Sequence, residues 1–207
     1  MARARAERAC CARLAAKSGF ADNGAFDVLV PFPMKRHVLS HGLVLAVAAL
    51  ADPAHAADYT WTDAAGAHAV TLARTTSGDD VELKVAATLD GRPDWTVRDF
   101  VKACPVDVIL DVVPASIEMR DLLSNGRKQF LFAYRIGCRG DVSADQVKYF
   151  LIDAGTKYVL RGEETVTVNG KFVDGGAAPV PNADLKAQPA FLRYMTKRWR
   201  GISVRND

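Results

Sequence analysis

The densest group of chemically capable side chains lies in residues 138–146, which read CRGDVSADQ. Asp141 and Ser143 offer a carboxylate and a hydroxyl two residues apart, and Lys148 adds an ammonium group shortly afterwards. Such a set can bind a polar ligand, so these three residues form a candidate binding site. The competing interpretation is structural, because a Gly-Asp pair favours a turn. Ser143 and Gln146 also have the spacing of a capping box, which predicts a helical turn there.

Acidic side chains supply an alternative, since some hydrolases work with two carboxylates alone. Asp107, Asp111 and Asp141 are the candidates for such a pair. The sequence contains no G-x-S-x-G, no glycine-rich phosphate loop and no H-E-x-x-H. His68 is the single histidine after residue 56, and its alanine neighbours indicate a structural or exposed position. We therefore name no catalytic residue and favour a binding module over a small hydrolase.

A metal site is considered at residues 121–126, DLLSNG, which are similar to the start of a calcium loop, D-x-D-x-D-G. Leu123 occupies the second ligand position, and no glutamate follows at the required distance. A plain Asn-Gly turn is the simpler interpretation. We expect neither a metal nor a cofactor.

Residues 34–56 have the order of a secretory signal peptide. A basic start, MKRH, precedes the apolar run GLVLAVAALA and the small-residue triplet AHA. We expect cleavage between Ala56 and Ala57 and a periplasmic or secreted protein. The apolar run is shorter than the roughly 20 residues of a spanning helix, so we expect no membrane span after cleavage.

Residues 1–33 precede this signal and leave three interpretations open. The favoured one starts translation at Met34, so that residues 1–33 are a spurious extension or a disordered leader. A transit peptide is the second, because the first 19 residues contain five basic residues and one acid. A membrane anchor is the third and conflicts with the short apolar run. Residues 57–207 then form a single globular domain.

Charge argues against one class of partner. The whole chain has a net charge of +3, but residues 1–56 hold seven of its 27 basic and four of its 24 acidic residues. That leaves 20 of each sign and a neutral domain. Nucleic-acid-binding domains are usually basic, so we expect no nucleic acid and instead an envelope glycan, peptide or protein as partner.

Two cysteines, Cys104 and Cys138, remain after cleavage. Cysteine pairs in exported domains usually form disulfides. The bond would require Cα atoms about 4.4–6.8 Å apart, and its loop of roughly 34 residues would stabilise the domain by about 3.5–4 kcal/mol. Two free thiols are disfavoured in an oxidising compartment, and a metal site would need more ligands than two sulfurs.

Alternating apolar residues and turn dipeptides predict short strands through most of residues 57–207. Strand 81–89 ends at Asp90-Gly91, and strand 165–168 is followed by Asn169-Gly170, which are hairpin turns. Phe130–Ile136 is apolar on both faces, which predicts a central strand. Further strands are expected at residues 59–62, 69–73, 108–110, 117–120, 147–152, 158–160 and 171–173.

Two segments have helical spacing. Residues 97, 100, 101 and 104 predict a short helix, in competition with a strand through Trp95. Pro189 suits the first position of a helix running to about Trp199 and closed by Gly201. Its apolar stripe is Phe191, Leu192, Met195 and Trp199, and the basic residues nearby are interpreted as its solvated face: Lys197, Arg198, Arg200 and Arg205. Residues 175–181 are expected to form a linker.

Residues 95–162 resemble a group of uncharacterised exported proteins of Gram-negative bacteria, some of which are labelled as surface-polysaccharide related. The shared pattern is WTVRD with CPVD, then Cys138 with the GDVS motif that follows it, and KYVLRG from Lys157. In these relatives the middle turn is D-L-N-x-D-G, whereas Leu123 and Asn125 stand here. The resemblance implies an exported location and an architecture, without a reaction.

We therefore expect one α+β domain, with a largely antiparallel sheet of about seven to nine strands and the C-terminal helix packed on it. We expect the domain to be a non-catalytic binding or interaction module of the cell envelope. The alternative is a small periplasmic hydrolase that depends on carboxylates.

Overall fold

A computed structural model describes residues 55–207. The expected leader, residues 1–33, and the signal peptide up to residue 54 lie outside the described residues. The expected cleavage site between Ala56 and Ala57 falls in the first strand, where Ala56 lies opposite Ala73.

The described residues confirm an α+β fold that consists mostly of antiparallel sheet, with a C-terminal helix packed against it. The strands are β1 (His55–Asp63), β2 (Gly66–Ser77), β3 (Asp80–Leu89), β4 (Arg92–Val101), β5 (Asp107–Val112), β6 (Glu118–Arg120), β7 (Gln129–Arg139), β8 (Gln146–Asp153), β9 (Thr156–Glu163), β10 (Thr165–Val168), β11 (Lys171–Gly175), β12 (Val180–Pro181) and β13 (Val204–Asn206). The helices are α1 (Ala183–Ala187) and α2 (Pro189–Ser203).

These strands form three sheets. The first sheet has the order β1-β2-β3-β4, and the second has the order β12-β9-β8-β7-β5, with β6 also paired to β7. The third has the order β11-β10-β13, and its β10–β13 pair is parallel whereas every other described pair is antiparallel. The described residues contain thirteen strands in three sheets, more than the one sheet of about seven to nine strands that was expected, and β12 and β13 among the additional strands are only two and three residues long.

The first hydrophobic core lies between the first and second sheets. Alternate residues of β7 enter it, including Phe130, Phe132 and Tyr134, and they meet residues of the first sheet such as Val85 and Trp95. Burial of a side chain of this size stabilises the fold by about 1.5–3 kcal/mol. The first sheet is therefore held on one face of the second by aromatic and aliphatic packing.

The second hydrophobic core lies on the opposite face of the second sheet, under α2. Leu131 and Ala133 of β7 enter this core with Phe191 and Met195 of the helix. Strand β7 is thus buried on both faces and has paired neighbours on both edges. The prediction that Phe130–Ile136 forms a central strand is confirmed.

Three tight hairpins connect neighbouring strands with two residues each. In Asp90-Gly91, Ala154-Gly155 and Asn169-Gly170 both residues have positive φ, between 47° and 77°. Such turns match the right-handed twist of the strands they join. The predicted turns after β3 and β10 are therefore confirmed.

The helix considered for residues 97–104 is wrong, because Arg92–Val101 is strand β4. Trp95, Val97 and Val101 alternate into the first core while Arg98 faces out. Positions i and i+4 share a face in a strand as well as in a helix, so the spacing of Val97 and Val101 fits both, whereas Phe100 lies on the opposite face of the strand and is exposed. The ladder with β3 decides between them.

The C-terminal helix is longer than expected, since α2 continues through Gly201 to Ser203. Ile202, which is buried, extends the apolar stripe by another turn. The expected linker at residues 175–181 is also partly wrong, because Val180 and Pro181 pair with β9 as β12. A strand of two residues is too short to show an alternating apolar pattern in the sequence.

The predicted disulfide is present. Cys104 and Cys138 are bonded, with their Cα atoms 5.7 Å apart. Cys104 follows β4 and Cys138 belongs to β7. The bond therefore links the first sheet to the second.

Candidate functional site

The candidate segment at Asp141 forms a turn that its own side chains close. The Asp141 carboxylate accepts hydrogen bonds from the Ser143 hydroxyl and from the Ser143 backbone N–H at 2.9 Å. These bonds lower the pKa of Asp141. No helix begins here, and the capping-box prediction is wrong because strand β8 starts at Gln146.

Two arginines hold this turn through its backbone. Arg139 donates to the Asp141 carbonyl at 2.7 Å, and Arg205 donates to the carbonyls of Val142 and Ser143 at 3.0 and 3.2 Å. These three backbone carbonyls of the turn therefore accept hydrogen bonds from the protein's own arginines. This arrangement agrees with the structural interpretation of the segment.

Behind the turn lies a group that we call the arginine cluster: Arg135, Arg139, Arg205, Asp145 and Glu164. Glu164 is fully buried and is bonded by Arg135 and, at 2.7 Å, by Arg205. Asp145 is bonded by Arg139 at 2.9 Å and by Arg205 at 3.2 Å. The expectation that Arg205 lies on a solvated face is wrong, because β13 pairs with β10 and carries it inward.

The carboxylates considered for a hydrolase do not converge. A hollow of about 370 Å³ beside the turn is lined by Asp141 and Asp145, but Asp107 and Asp111 do not line it. Both lie on β5, and Asp111 is 3.6 Å from Arg74. Only Asp141 of the three expected acids therefore reaches this hollow.

Lys148 lies apart from Asp141 and Ser143. Its ammonium group bonds Asp99 of β4, which also accepts a hydrogen bond from the Tyr134 hydroxyl at 2.8 Å. Side chains alternate along β8, so Tyr149 points to the helical side and Lys148 to the side of the first sheet. The three residues of the predicted site thus divide between two places.

Lys148 opens onto a groove of about 240 Å³ between β4 and the β8–β9 hairpin, which we call the Lys148 groove. It is lined by Val97, Arg98, Asp99, Tyr134, Lys148, Phe150, Lys157 and Arg161. Lys157 donates to the Thr96 carbonyl on the open edge of the first sheet at 2.6 Å. The groove therefore runs along that edge.

The ionisation of the groove follows from its hydrogen bonds. Burial alone would raise the pKa of Asp99, but hydrogen bonds from Lys148 and Tyr134 hold it below its ordinary value. Burial and the neighbouring Asp99 raise the pKa of the Tyr134 hydroxyl. At neutral pH the groove thus has an ionised carboxylate and a neutral phenol.

The single histidine after residue 56 lies in a second hollow. His68 stacks on Trp61 with ring centroids 4.6 Å apart, and its Nε2 lies 3.1 Å from the Asp63 carboxylate. Asp63 also accepts bonds from the Trp61 indole and the backbone N–H groups of Ala65 and Lys128. These contacts join the β1–β2 hairpin to the segment before β7, so they serve the fold.

Most residues of the Lys148 groove are not predicted from the sequence. Lys148 is among the candidate binding residues, but Asp99, Tyr134, Lys157 and Arg161 are not. The available signal was a cation on each of two adjacent strands, each next to one apolar residue on the same face, Phe150 for Lys148 and Val159 for Arg161. Reading it requires the β8–β9 register, in which Lys148 lies directly opposite Arg161.

Within residues 55–207 no three His, Cys, Asp or Glu side chains are placed to hold a metal ion. In the same part of the chain, no helix combines the length and apolar character needed to cross a membrane. Comparison of the chain with protein-family models, curated proteins and solved structures finds no match.

Proposed function

We propose that residues 57–207 form an exported, non-catalytic binding domain of the cell envelope, whose ligand occupies the Lys148 groove. The observation that carries this proposal is the convergence of three cationic side chains on one groove with a single lining carboxylate: Lys148, Lys157 and Arg161, with Asp99. The domain as a whole is neutral. Such a local excess of one charge favours a complementary ligand.

An exported location is supported from two sides. The disulfide between Cys104 and Cys138 favours an oxidising compartment. Residues 34–56 have the order of a signal peptide, and the likeness of residues 95–162 to exported Gram-negative proteins points the same way. The partner is accordingly an envelope glycan, peptide or protein.

Binding is preferred to catalysis because two of the candidate acids, Asp99 in the Lys148 groove and Asp141 beside the turn, are held ionised. A general acid needs a carboxyl whose pKa is raised toward neutrality. The pKa values of Asp99 and Asp141 are instead lowered by their hydrogen bonds. Neither carboxyl can therefore serve as the proton donor of a hydrolase at neutral pH.

The hydrolase alternative retains one favourable observation, namely that Asp141 and Asp145 line the same hollow. Paired carboxylates on a hollow are the arrangement that glycoside hydrolysis uses. Asp145, however, is bonded by two arginines and is nearly buried. Its charge is used within the arginine cluster, which leaves Asp141 as the accessible acid.

The proposal is tested by titrating isotopically labelled protein, purified after export, with soluble glycan and peptide fractions of a bacterial envelope. Amide chemical shifts should change saturably in β4, β8 and β9, and Lys148→Met should abolish the changes. Arg200→Ala, which removes an exposed charge on α2, should leave them intact. Changes confined to residues 138–146 with release of cleaved fragments would favour the hydrolase, and no saturable change with any fraction would refute the binding function.

A further inference from the structure

The charges of the Lys148 groove indicate what kind of ligand it takes. Arg98 is paired with Glu82 at 2.6 Å, and Lys148 is paired with Asp99. These two pairs are neutral. Lys157 and Arg161 therefore provide two cationic charges that no carboxylate lining the groove compensates.

Arg161 is placed where a cation is unfavourable for folding. It lies directly opposite Lys148 in the β8–β9 ladder, and like charges at such positions destabilise a sheet. Glu163, the next residue on the same face of β9, is 3.5 Å from the Gln146 amide. Among residues 55–207 the Arg161 guanidinium has no hydrogen bond or ion pair, so its donors remain available to a ligand.

We infer that the Lys148 groove binds a dianionic phosphate group, an assignment that rests on the proposed binding function. A phosphomonoester carries about −1.5 to −2 charges at pH 7, which matches the two uncompensated cations. The guanidinium fork of Arg161 binds two phosphate oxygens at once, and the Lys157 ammonium adds a point charge. Tyr134 remains a neutral phenol and does not repel the anion.

Lys157 has a second role that the test must respect. Its ammonium group caps the Thr96 carbonyl at the open edge of β4. Lys157→Gln keeps a hydrogen-bond donor there while removing the charge. Arg161→Lys similarly keeps the charge while removing the fork.

The experiment measures dissociation constants by calorimetry for protein purified after export. Its soluble probes are inorganic phosphate, glucose 6-phosphate, glucuronate and glucose. Both phosphates should bind at least tenfold more tightly than glucuronate, and glucose should not bind. Arg161→Ala and Lys157→Gln should each weaken phosphate binding tenfold or more, and Arg161→Lys should fall between Arg161→Ala and wild type.

Arg200→Ala is the matched control, since it removes the same charge from α2, which covers the other face of the second sheet. It should leave phosphate binding unchanged, and circular dichroism with thermal midpoints confirms that every variant is folded. Equal binding of glucuronate and phosphate, or equal losses in Arg161→Ala and Arg200→Ala, would overturn the inference.

A second experiment with lipid vesicles distinguishes a phosphate on a lipid headgroup from a phosphate on a soluble molecule. Phosphatidylcholine vesicles with and without phosphatidate test a lipid headgroup, and glucose 6-phosphate tests a soluble ester. Binding to either through Arg161 supports the phosphate assignment and identifies its source.

Failure of the inference differs from failure of the binding function. If an envelope fraction changes the amide chemical shifts of the groove residues and phosphate does not compete with that fraction, the phosphate inference alone is overturned. Phosphate binding with no response to any envelope fraction would overturn the proposed function alone.

Discussion

At the scale of single residues, the most demanding requirement is the neutralisation of two buried carboxylates, Asp145 and Glu164. Each lies within the arginine cluster and accepts hydrogen bonds from two guanidinium groups. A buried charge that loses its partner costs far more than the pair contributes. The cluster therefore tolerates the loss of a member poorly.

We expect Glu164→Ala to lower the free energy of unfolding by about 3–5 kcal/mol. The substitution leaves the half-buried Arg135 and Arg205 with fewer counter-charges. Urea unfolding of the purified, disulfide-bonded protein measures the loss. Asp111→Ala, which breaks an exposed contact with Arg74, should cost less than about 1 kcal/mol. Equal losses in the two variants would contradict this assignment.

Acid should destabilise the protein partly through Asp63. Burial opposes its ionisation, but hydrogen bonds from Lys128, Ala65, His68 and Trp61 prevail and lower its pKa. Because the folded pKa lies below the unfolded value of about 3.9, the Asp63 contribution is complete above about pH 5 and is lost progressively as pH falls from there toward the folded pKa.

Asp63→Asn should therefore lower stability at pH 7 and flatten its dependence on pH between about 5 and 3. Urea unfolding at a series of pH values gives this curve. Asp79→Asn, at an exposed turn position, should retain the pH dependence of the natural protein. A wild-type slope in Asp63→Asn would show that other groups control acid unfolding.

The residue types of the site could be read from the sequence more easily than their partners. Lys148 is a candidate binding residue on sequence grounds, and the Cys104–Cys138 disulfide is predicted because only these two cysteines follow the expected cleavage site. Asp99 and Arg161 meet Lys148 only through strand register and sheet packing. A shift of one residue would send each side chain to the opposite face, so short-range pattern could not place them together.

At the scale of elements, Gly137 and Gly201 show how much the surroundings of a glycine decide. A Cβ on Gly137 in β7 would lie 2.1 Å from the Asp145 carboxylate. A Cβ on Gly201 in α2 would meet nothing within 4 Å. The position of Asp145 therefore requires a glycine at residue 137, because any larger residue would clash with its carboxylate. No neighbouring atom requires a glycine at residue 201, where glycine only lowers the helix propensity of α2.

We expect Gly137→Ala to destabilise the fold by about 1–3 kcal/mol through overpacking. Gly201→Ala should stabilise it by about 0.5–1 kcal/mol because alanine restricts the unfolded chain and favours helix. Chemical denaturation of both variants checks the opposite signs. Destabilisation by both would indicate that α2 ends before Gly201.

Elements with their own turn chemistry were predictable, and elements created by pairing were not. The hairpin turns at Asp90-Gly91 and Asn169-Gly170 are predictable from the sequence because tight hairpins require positive φ at both positions, which Asp-Gly and Asn-Gly adopt readily. Strands β12 and β13 are two and three residues long and exist through their partners β9 and β10. Tertiary pairing also overrode the helical spacing of residues 97–104.

At the scale of the whole molecule, the second sheet is shared by two cores and joined to the first sheet covalently. The disulfide closes a loop between residues 34 positions apart. A cross-link of this span should restrict the unfolded chain enough to contribute about 3.5–4 kcal/mol. The bond thus reinforces the interface that the first core already forms.

Replacing both cysteines, Cys104→Ser with Cys138→Ser, should reduce the free energy of unfolding by about that amount. Guanidinium unfolding of the purified double variant and of the disulfide-bonded wild type measures the difference. Wild-type protein treated with a reductant should approach the stability of the double variant. A reduced wild type as stable as the oxidised one would show that the loop is already restricted in the unfolded state.

The inward position of Arg205 has a consequence for the order of folding events in a chain that emerges from its N-terminal end. Chain that has emerged only as far as Ser203 contains Asp145 and Glu164 but lacks the guanidinium that bonds both. Burying them at that stage would leave their charges undercompensated. The arginine cluster should therefore form only after β13 has emerged, when contacts separated by about 40 to 60 residues close at once. Emergence of the C-terminal strand and the final folding step are thus coupled through this arginine.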